Sequence, residues 1–355
     1  MAQKIVHGID EIVDQIKNQK FLLVRDRAYN YLKIKTLFDA IPHVEFSEFT
    51  PNPLYEQVCE GVKIFNDNEC NMIVAVGGGS TIDVAKCIKL YCKMDSSINY
   101  LEQEKQDTGI PLIAIPTTAG TGSESTRHAV IYYEGKKQSI SHPSIVPDIA
   151  VLEPSSLKTL PVYQKKCTML DALCQGIESW WSVNSNDESI DYSKKAVQMI
   201  VDNWKAYIMD NTDVAAAKIM EAANYAGRAI NITATTAAHA MSYKITSMFN
   251  LPHGHAVAVC MPEVWGYMLD HTDDCIDGRG AEYLKHTLSD ISEIASLEWF
   301  KQLMTDLEME YPASENKEAD VNLLTESVNP VRLKNNPVAL ESNVLHEMYE
   351  RIVRQ

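Results

Sequence analysis

The chain has 355 residues, 45% of them hydrophobic and 23% charged, the composition of a soluble globular protein with room for two sizeable domains. Its net charge of -16 argues against nucleic acid as a partner, whereas a small anionic ligand needs only a few local cations. No apolar run approaches the length of a membrane span, the start lacks the apolar stretch of a signal segment, and eight cysteines without a CxxC pair suit a reducing compartment. A cytoplasmic protein with no membrane partner is therefore expected.

In chain order, residues 10–20 have a helical period, and Phe21-Leu-Leu-Val24 is a short apolar strand leaving through Arg25-Asp26. Val44–Phe49 alternates as a second strand. Thr50-Pro-Asn-Pro53 then turns into a helix running to about Asp67. Met72-Ile-Val-Ala-Val76, Gly77-Gly-Gly-Ser80 and Thr81-Ile-Asp-Val-Ala-Lys86 read as strand, tight turn and helix. Backbone N–H groups left uncovered at a helix N-terminus form a seat for an anion such as a pyrophosphate; the bland alternative is a plain tight turn. Pro111–Pro116 is a buried strand feeding the hydroxyl-rich loop Thr117-Thr-Ala-Gly-Thr-Gly-Ser-Glu124, which lets a ligand approach the backbone. His128–Tyr133 and Gln138–His142 read as a hairpin around Glu134-Gly135, and Ile149–Leu152 as the last strand. Alternating strands and helices predict a parallel sheet with helices on both faces.

Helical periodicity dominates from Tyr163 onward. Helices are predicted over 162–182, 188–209, 213–230, 233–249, 263–270, 278–287, 291–308 and 340–354. Asn250-Leu-Pro-His253-Gly-His255 is a break, and 309–339, with Pro312, Pro330 and Pro337, reads as a loop region with one short helix. The expected boundary divides residues 1–162, an α/β unit, from 163–355, an all-helical unit. Asp171 and Gln175 share one face of their helix. With His239 and His253 they would supply a carboxylate, an amide oxygen and two imidazoles, a set compatible with zinc or ferrous iron except for the weakly basic amide. Spacing alone does not bring residues 171 and 253 together, and an ordinary polar stripe is the alternative.

Taken together, Gly77–Lys86, Ile115–Glu124, Pro147–Leu152, Leu170-Asp-Ala-Leu173 with Ile177-Glu178, and His239 with Pro252-His-Gly254 resemble the iron-containing (group III) alcohol dehydrogenase family over nearly the whole length. The resemblance implies a dinucleotide-binding α/β domain followed by an all-α domain, the dehydroquinate synthase-like fold, and NAD(P)-linked interconversion of an alcohol and an aldehyde. It implies that Gly77, Gly78, Gly79 and Ser80 hold the pyrophosphate, with Asp83, Thr117, Thr118 and Thr121 as cofactor neighbours. Asp26 matches the acidic position that favours NAD(H) over NADP(H), with Arg25 and Arg27 beside it. Asp171, His239 and His253 match three of four ligands for Fe2+ or Zn2+. Gln175 stands where the family usually has histidine, and Tyr243 where a non-ligand histidine commonly lies near the reacting alcohol.

Residues 170–183 and 226–244 are similar to the phosphonoacetaldehyde reductase branch, which makes 2-hydroxyethylphosphonate. An anionic substrate needs cations, for which Arg127, Arg228 and Lys244 are candidates; an Arg228–Glu221 salt bridge is the bland alternative. Tyr243, or water, is the expected proton donor and His255 the runner-up. A general short-chain alcohol dehydrogenase with a neutral substrate, and a metal-dependent lyase or cyclase on the same fold, are the competing functions. The resemblance also implies that a homo-oligomer is possible.

Overall fold

The computed structural model describes residues 3–355, in two compact units. The first unit contains the residues up to Leu160 together with Asn211–Gly227. Its elements are β1 (Lys4–His7), α1 (Val13–Ile16), β2 (Phe21–Arg25), α2 (Lys35–Asp39), β3 (Val44–Phe46), α3 (Tyr55–Asp67), β4 (Met72–Gly77), α4 (Gly79–Tyr91), β5 (Leu112–Pro116), β6 (His128–Tyr133), β7 (Lys136–Ser141) and β8 (Ile149–Leu152). Six strands form a parallel sheet in the order β1-β8-β5-β4-β2-β3, and β6-β7 is a separate antiparallel hairpin. Glu134 and Gly135 close that hairpin with φ of 50° and 72°, the left-handed pair that a two-residue turn needs.

Alternate residues of each central strand enter different cores, which is why these strands are apolar throughout. Leu22, Val24, Ile73, Ala75, Leu112 and Ala114 pack with Val58 and Val62 of α3 and Ile82 and Ile88 of α4. Phe21, Leu23, Val74, Val76, Ile113 and Ile115 pack on the other face with Ile12, Ile16 and Phe38. The strand β1 was not foreseen, so the strand ending at Asp26 is the second, not the first. As an edge strand paired only to β8, β1 buries fully only Val6, and its sequence carries little strand signal. The helix expected over 10–20 is reduced to a 3-10 turn at Ile9–Glu11 and the short α1.

The second unit holds Pro161–Asp210 and Arg228–Gln355. The helices from this point are α5 (Val162–Trp181), α6 (Asp187–Ile208), α7 (Asp213–Thr233), α8 (Ala237–Phe249), α9 (His253–Asp270), α10 (Ala281–Ile294), α11 (Leu297–Asp306), α12 (Lys317–Ser327), α13 (Pro330–Leu333) and α14 (Ser342–Ile352). The greater part of α7 clusters with the first unit. There Asn224 donates to Glu124 and Ser125, and a Cβ on Gly227 would lie 2.6 Å from the Gly122 carbonyl oxygen. The openness of the Gly122 loop, expected to admit a ligand, at this residue admits the α7 backbone.

Within the second unit α5 packs on α6 and α9, and α8 on α9. The helix expected over 233–249 begins only at Ala237, because Ala234 adopts φ 56° and Thr235-Thr236 favour a break. His253 opens α9, which runs through Pro262 to Asp270, so the helix expected over 263–270 begins ten residues earlier. The missing N–H of Pro262 weakens that turn, yet residues 254–262 are buried and their packing outweighs the loss. Residues 309–339 hold two helices, α12 and α13, where one was expected.

Candidate active site

In the first unit the chain after β2 crosses to β3 on one side, and the chain after β4 crosses to β5 on the other. The ends of β2 and β4 therefore flank a topological switch point, the usual ligand position of an open α/β sheet. Asp26 leaves β2 and Gly77–Ser80 leave β4 at this point. Asp26 Oδ1 accepts from the Ala28 N–H at 2.9 Å, while Oδ2 accepts from the Gly78 N–H at 3.2 Å and the Thr81 hydroxyl at 3.0 Å. Arg25 is engaged by Glu45 on β3, and Arg27 is exposed. The threonine loop lies alongside: a Cβ on Gly79 would come within 2.9 Å of Thr121 Oγ1, and one on Gly78 within 3.6 Å of the Thr118 methyl. The Thr117 N–H donates to the Gly77 carbonyl at 3.0 Å, and the Asn52 N–H reaches Ser80 Oγ at 3.4 Å.

Asp83 does not fit its expected role as a direct cofactor neighbour. Its carboxylate turns inward, accepting from Ser123 Oγ at 2.7 Å and the Val130 N–H at 2.9 Å. It thus fastens the threonine loop and β6 to α4. Beside it the fully buried Lys86 donates to Ser123, Thr126 and the His128 carbonyl. Burial drives the Lys86 pKa down to about 8, against the pull of Asp83 and Glu124.

In the second unit, α5, α8 and α9 bring Asp171, His239 and His253 together, with one ligand atom from each lying within 4.8 Å of the others. Asp171 Oδ1 is 3.3 Å from His239 Nε2 and 4.0 Å from His253 Nε2. The crossing that permits this depends on Gly254, where a Cβ would lie 2.0 Å from the Cys167 carbonyl oxygen and 2.8 Å from the Asp171 Cβ. Asp171 and His239 are buried, whereas the His253 side chain is 38% exposed, so the cluster opens at His253.

Glu178, which the sequence offered only as part of the resemblance, has a structural setting that no sequence reading assigned. It falls seven residues after Asp171, two helical turns along the same face, in an otherwise apolar run. It is completely buried and accepts from the Thr236 N–H and hydroxyl, the His239 N–H and His239 Nδ1. That contact fixes the ring so that Nε2, the remaining nitrogen, faces Asp171. Burial opposes a charged His239, but Glu178 and Asp171 outweigh it and raise its pKa to about 9. Burial likewise opposes the Asp171 carboxylate, yet His239, His253 and Gln175 together hold its pKa below the usual value.

One carboxylate and two imidazoles at this spacing suit a zinc or ferrous ion. Gln175 adds an independent observation: its Oε1 is buried one turn from Asp171 and has no hydrogen-bond partner. A buried amide oxygen without a donor is costly, and a cation or a cation-held water would satisfy it. The residues present therefore fit a divalent metal.

Tyr243 stacks on His253, with planes 4° apart and ring centroids at 5.8 Å. Burial raises its pKa, opposed by the nearby Arg332 charge, so the phenol keeps its proton near neutrality. His255, the expected alternative proton donor, has both ring nitrogens engaged, Nδ1 with the Tyr163 hydroxyl at 2.8 Å and Nε2 with the Glu310 carbonyl at 2.7 Å. The carbonyl requires the proton on Nε2, and burial lowers the ring pKa, so His255 is a neutral brace of α9.

The three cations expected for an anionic substrate divide. Arg228 lies over the Tyr192 ring at 4.4 Å, and Glu221 pairs with Lys218 rather than with Arg228. Arg127 is exposed on the segment entering β6. Lys244 is half-buried on α8, one residue beyond Tyr243.

Comparison with known proteins agrees with this architecture. A chain 33% identical over 275 residues, 72% of this chain and 71% of its own, is alcohol dehydrogenase 4 of Saccharomyces cerevisiae. Phosphonoacetaldehyde reductase of Streptomyces viridochromogenes is 34% identical over 61% of this chain and 58% of its own. Among solved structures, sulfoacetaldehyde reductase from Bifidobacterium kashiwanohense in complex with NAD+ superposes with a TM-score of 0.87 at 24% identity, covering 99% of this chain and 96% of that one. Residues 2–154 match the family described as iron-containing alcohol dehydrogenase, and 166–353 its C-terminal domain. The chain belongs to the iron-containing alcohol dehydrogenase family and is an oxidoreductase of the alcohol dehydrogenase and aldehyde reductase class.

Proposed function

We propose that the protein reduces a short aldehyde bearing an anionic group, with phosphonoacetaldehyde as the leading substrate, to the primary alcohol, using NADH in preference to NADPH. The observation that carries the reductase reading is the Asp171–His239–His253 cluster with Glu178 behind His239. The anionic group is supported by two relatives whose named substrates, phosphonoacetaldehyde and sulfoacetaldehyde, carry such a group one methylene from the carbonyl. When bound, a nicotinamide cofactor supplies the hydride and a divalent ion supplies Lewis acidity toward the carbonyl oxygen.

The chain's own residues do the rest. Asp171, His239 and His253 would hold the ion, Glu178 orients His239, and Gln175 would offer its amide oxygen to it. Tyr243, protonated and stacked on His253, is placed to give a proton to the developing alkoxide. Gly77–Ser80 with Thr117, Thr118 and Thr121 receive the pyrophosphate. The Asp26 carboxylate at the switch point repels a 2′-phosphate and accepts from a ribose hydroxyl.

A neutral-substrate alcohol dehydrogenase is the second reading, favoured by the placement of Arg228 on Tyr192 rather than on the cluster. The family assignment weighs against the lyase or cyclase alternative. Cofactor consumption over a panel of short aldehydes, with NADH and with NADPH, separates the readings. Phosphonoacetaldehyde should give the highest kcat/KM, and NADH should exceed NADPH. Equal turnover of phosphonoacetaldehyde and propanal would favour the neutral-substrate reading, and equal or better turnover with NADPH would refute the cofactor assignment.

A further inference from the structure

We propose that Arg332, on α13, recognises the anionic group of the substrate. The inference rests on the reductase reading and names the residue that would give that reading its anionic specificity. Arg332 Nη1 donates to the Tyr243 hydroxyl at 3.2 Å, and the guanidinium carbon lies 5.2 Å from the centroid of that ring. Tyr243 is itself stacked on His253. A permanent cation thus stands one aromatic ring away from His253, the exposed member of the cluster.

Charge makes the placement informative. The chain carries 48 acidic residues against 32 basic ones, and many of its lysines and arginines find a carboxylate. Arg332 is half-buried and, among the described residues, forms no ion pair. Its one hydrogen bond uses a single N–H of the five a guanidinium offers, and a planar fork suits the paired oxygens of a phosphonate, sulfonate or carboxylate. Lys244, also without an ion pair, lies one residue beyond Tyr243 and so projects about 100° further round α8.

The segment is also held in place. Asn329 caps α13, accepting from the Val331 N–H at 2.9 Å, and Pro330 fixes its first residue. Just beyond, Asn335 donates to the Thr235 carbonyl at 3.1 Å and accepts from Asn184 at 2.9 Å, while its carbonyl receives the Val183 N–H at 3.1 Å. A cation fixed before the ligand arrives loses less freedom on binding, which is what an anchor requires. A purely structural Arg332 would serve Tyr243 alone, and every aldehyde would then suffer equally from its removal.

The test compares wild type with Arg332→Gln and Arg332→Lys. It measures KM and kcat for phosphonoacetaldehyde and for propanal, and calorimetric binding of methylphosphonate to each protein. Arg332→Gln should raise the KM for phosphonoacetaldehyde about 10- to 100-fold and weaken methylphosphonate by a similar factor, the worth of one or two charge-assisted hydrogen bonds. The KM for propanal should stay within about threefold, and Arg332→Lys should fall between, having charge without the fork. Parallel changes for both aldehydes, or equal methylphosphonate binding by wild type and Arg332→Gln, would overturn the proposal, as would no binding by wild type. Failure of wild type to reduce any aldehyde would count against the reductase reading, and calorimetry would still decide the role of Arg332.

Discussion

Glu178 carries no ligand atom of the cluster, yet it accepts from four donors and sets which nitrogen of His239 faces Asp171. Replacing it by glutamine keeps the size, removes the charge and puts an N–H₂ among groups that are all donors. Glu178→Gln should weaken metal binding about 10- to 100-fold, the usual effect of losing such an orienting carboxylate. Competition with a chromogenic chelator measures it, and unchanged affinity would show that the ring is held by packing alone. Gln175 tests the opposite direction. An imidazole at that position is a better ligand than an amide, so Gln175→His should bind zinc more tightly in the same competition. These two residues also mark what a sequence discloses at this scale. Asp171 and Gln175 stand out because polar residues four apart define a face. Glu178 was visible as a carboxylate in an apolar run, but its role depends on Thr236 and His239, about sixty residues away.

Among the elements, the crossing of α5 and α9 decides whether a cluster exists. His253 reaches Asp171 only because Gly254 lets the start of α9 approach the Cys167 carbonyl. Gly254→Ala should destabilise the protein by at least about 1–3 kcal/mol, since neither backbone can yield easily. Gly266→Ala, in the same helix, would meet only Leu297 at 3.7 Å and should be neutral or stabilising by up to about 1 kcal/mol. Urea midpoints of the two variants check the contrast, and similar midpoints would contradict the role assigned to Gly254. The same helix shows where sequence reading falls short: the break before His253 was legible, but the helix was expected only from residue 263, after Pro262, whereas it starts at His253. Periodicity and proline are local signals, whereas the continuation of α9 through Pro262 depends on burial by neighbours distant in the chain. Likewise β1, an edge strand with one fully buried residue, left almost no pattern to read.

For the whole molecule, strong local patterns were legible and long-range pairings were not. The buried strands, the glycine turn, the hairpin and most helix spans followed from apolar runs and turn residues. The grouping of Asn211–Gly227 with the first unit did not, because it arises from the Gly122–Gly227 approach and the Asn224 contacts. Arg228 and Lys244 were conspicuous as cations in small or apolar surroundings, and Arg127 for following the threonine loop. Arg332 was hidden in a proline-broken stretch that gave no sign of meeting Tyr243. Among the described residues, no helix is long and apolar enough to cross a membrane.

The central claim is that Asp171, His239 and His253 hold a catalytic divalent ion although Gln175 replaces the customary histidine. The direct measurement is metal content and NADH-dependent aldehyde reduction on one preparation, before chelation, after it, and after addition of Fe2+ or Zn2+. The account predicts one ion per chain, loss of activity with the ion, and its return with one of the two metals. Full activity in protein free of bound metal would contradict it.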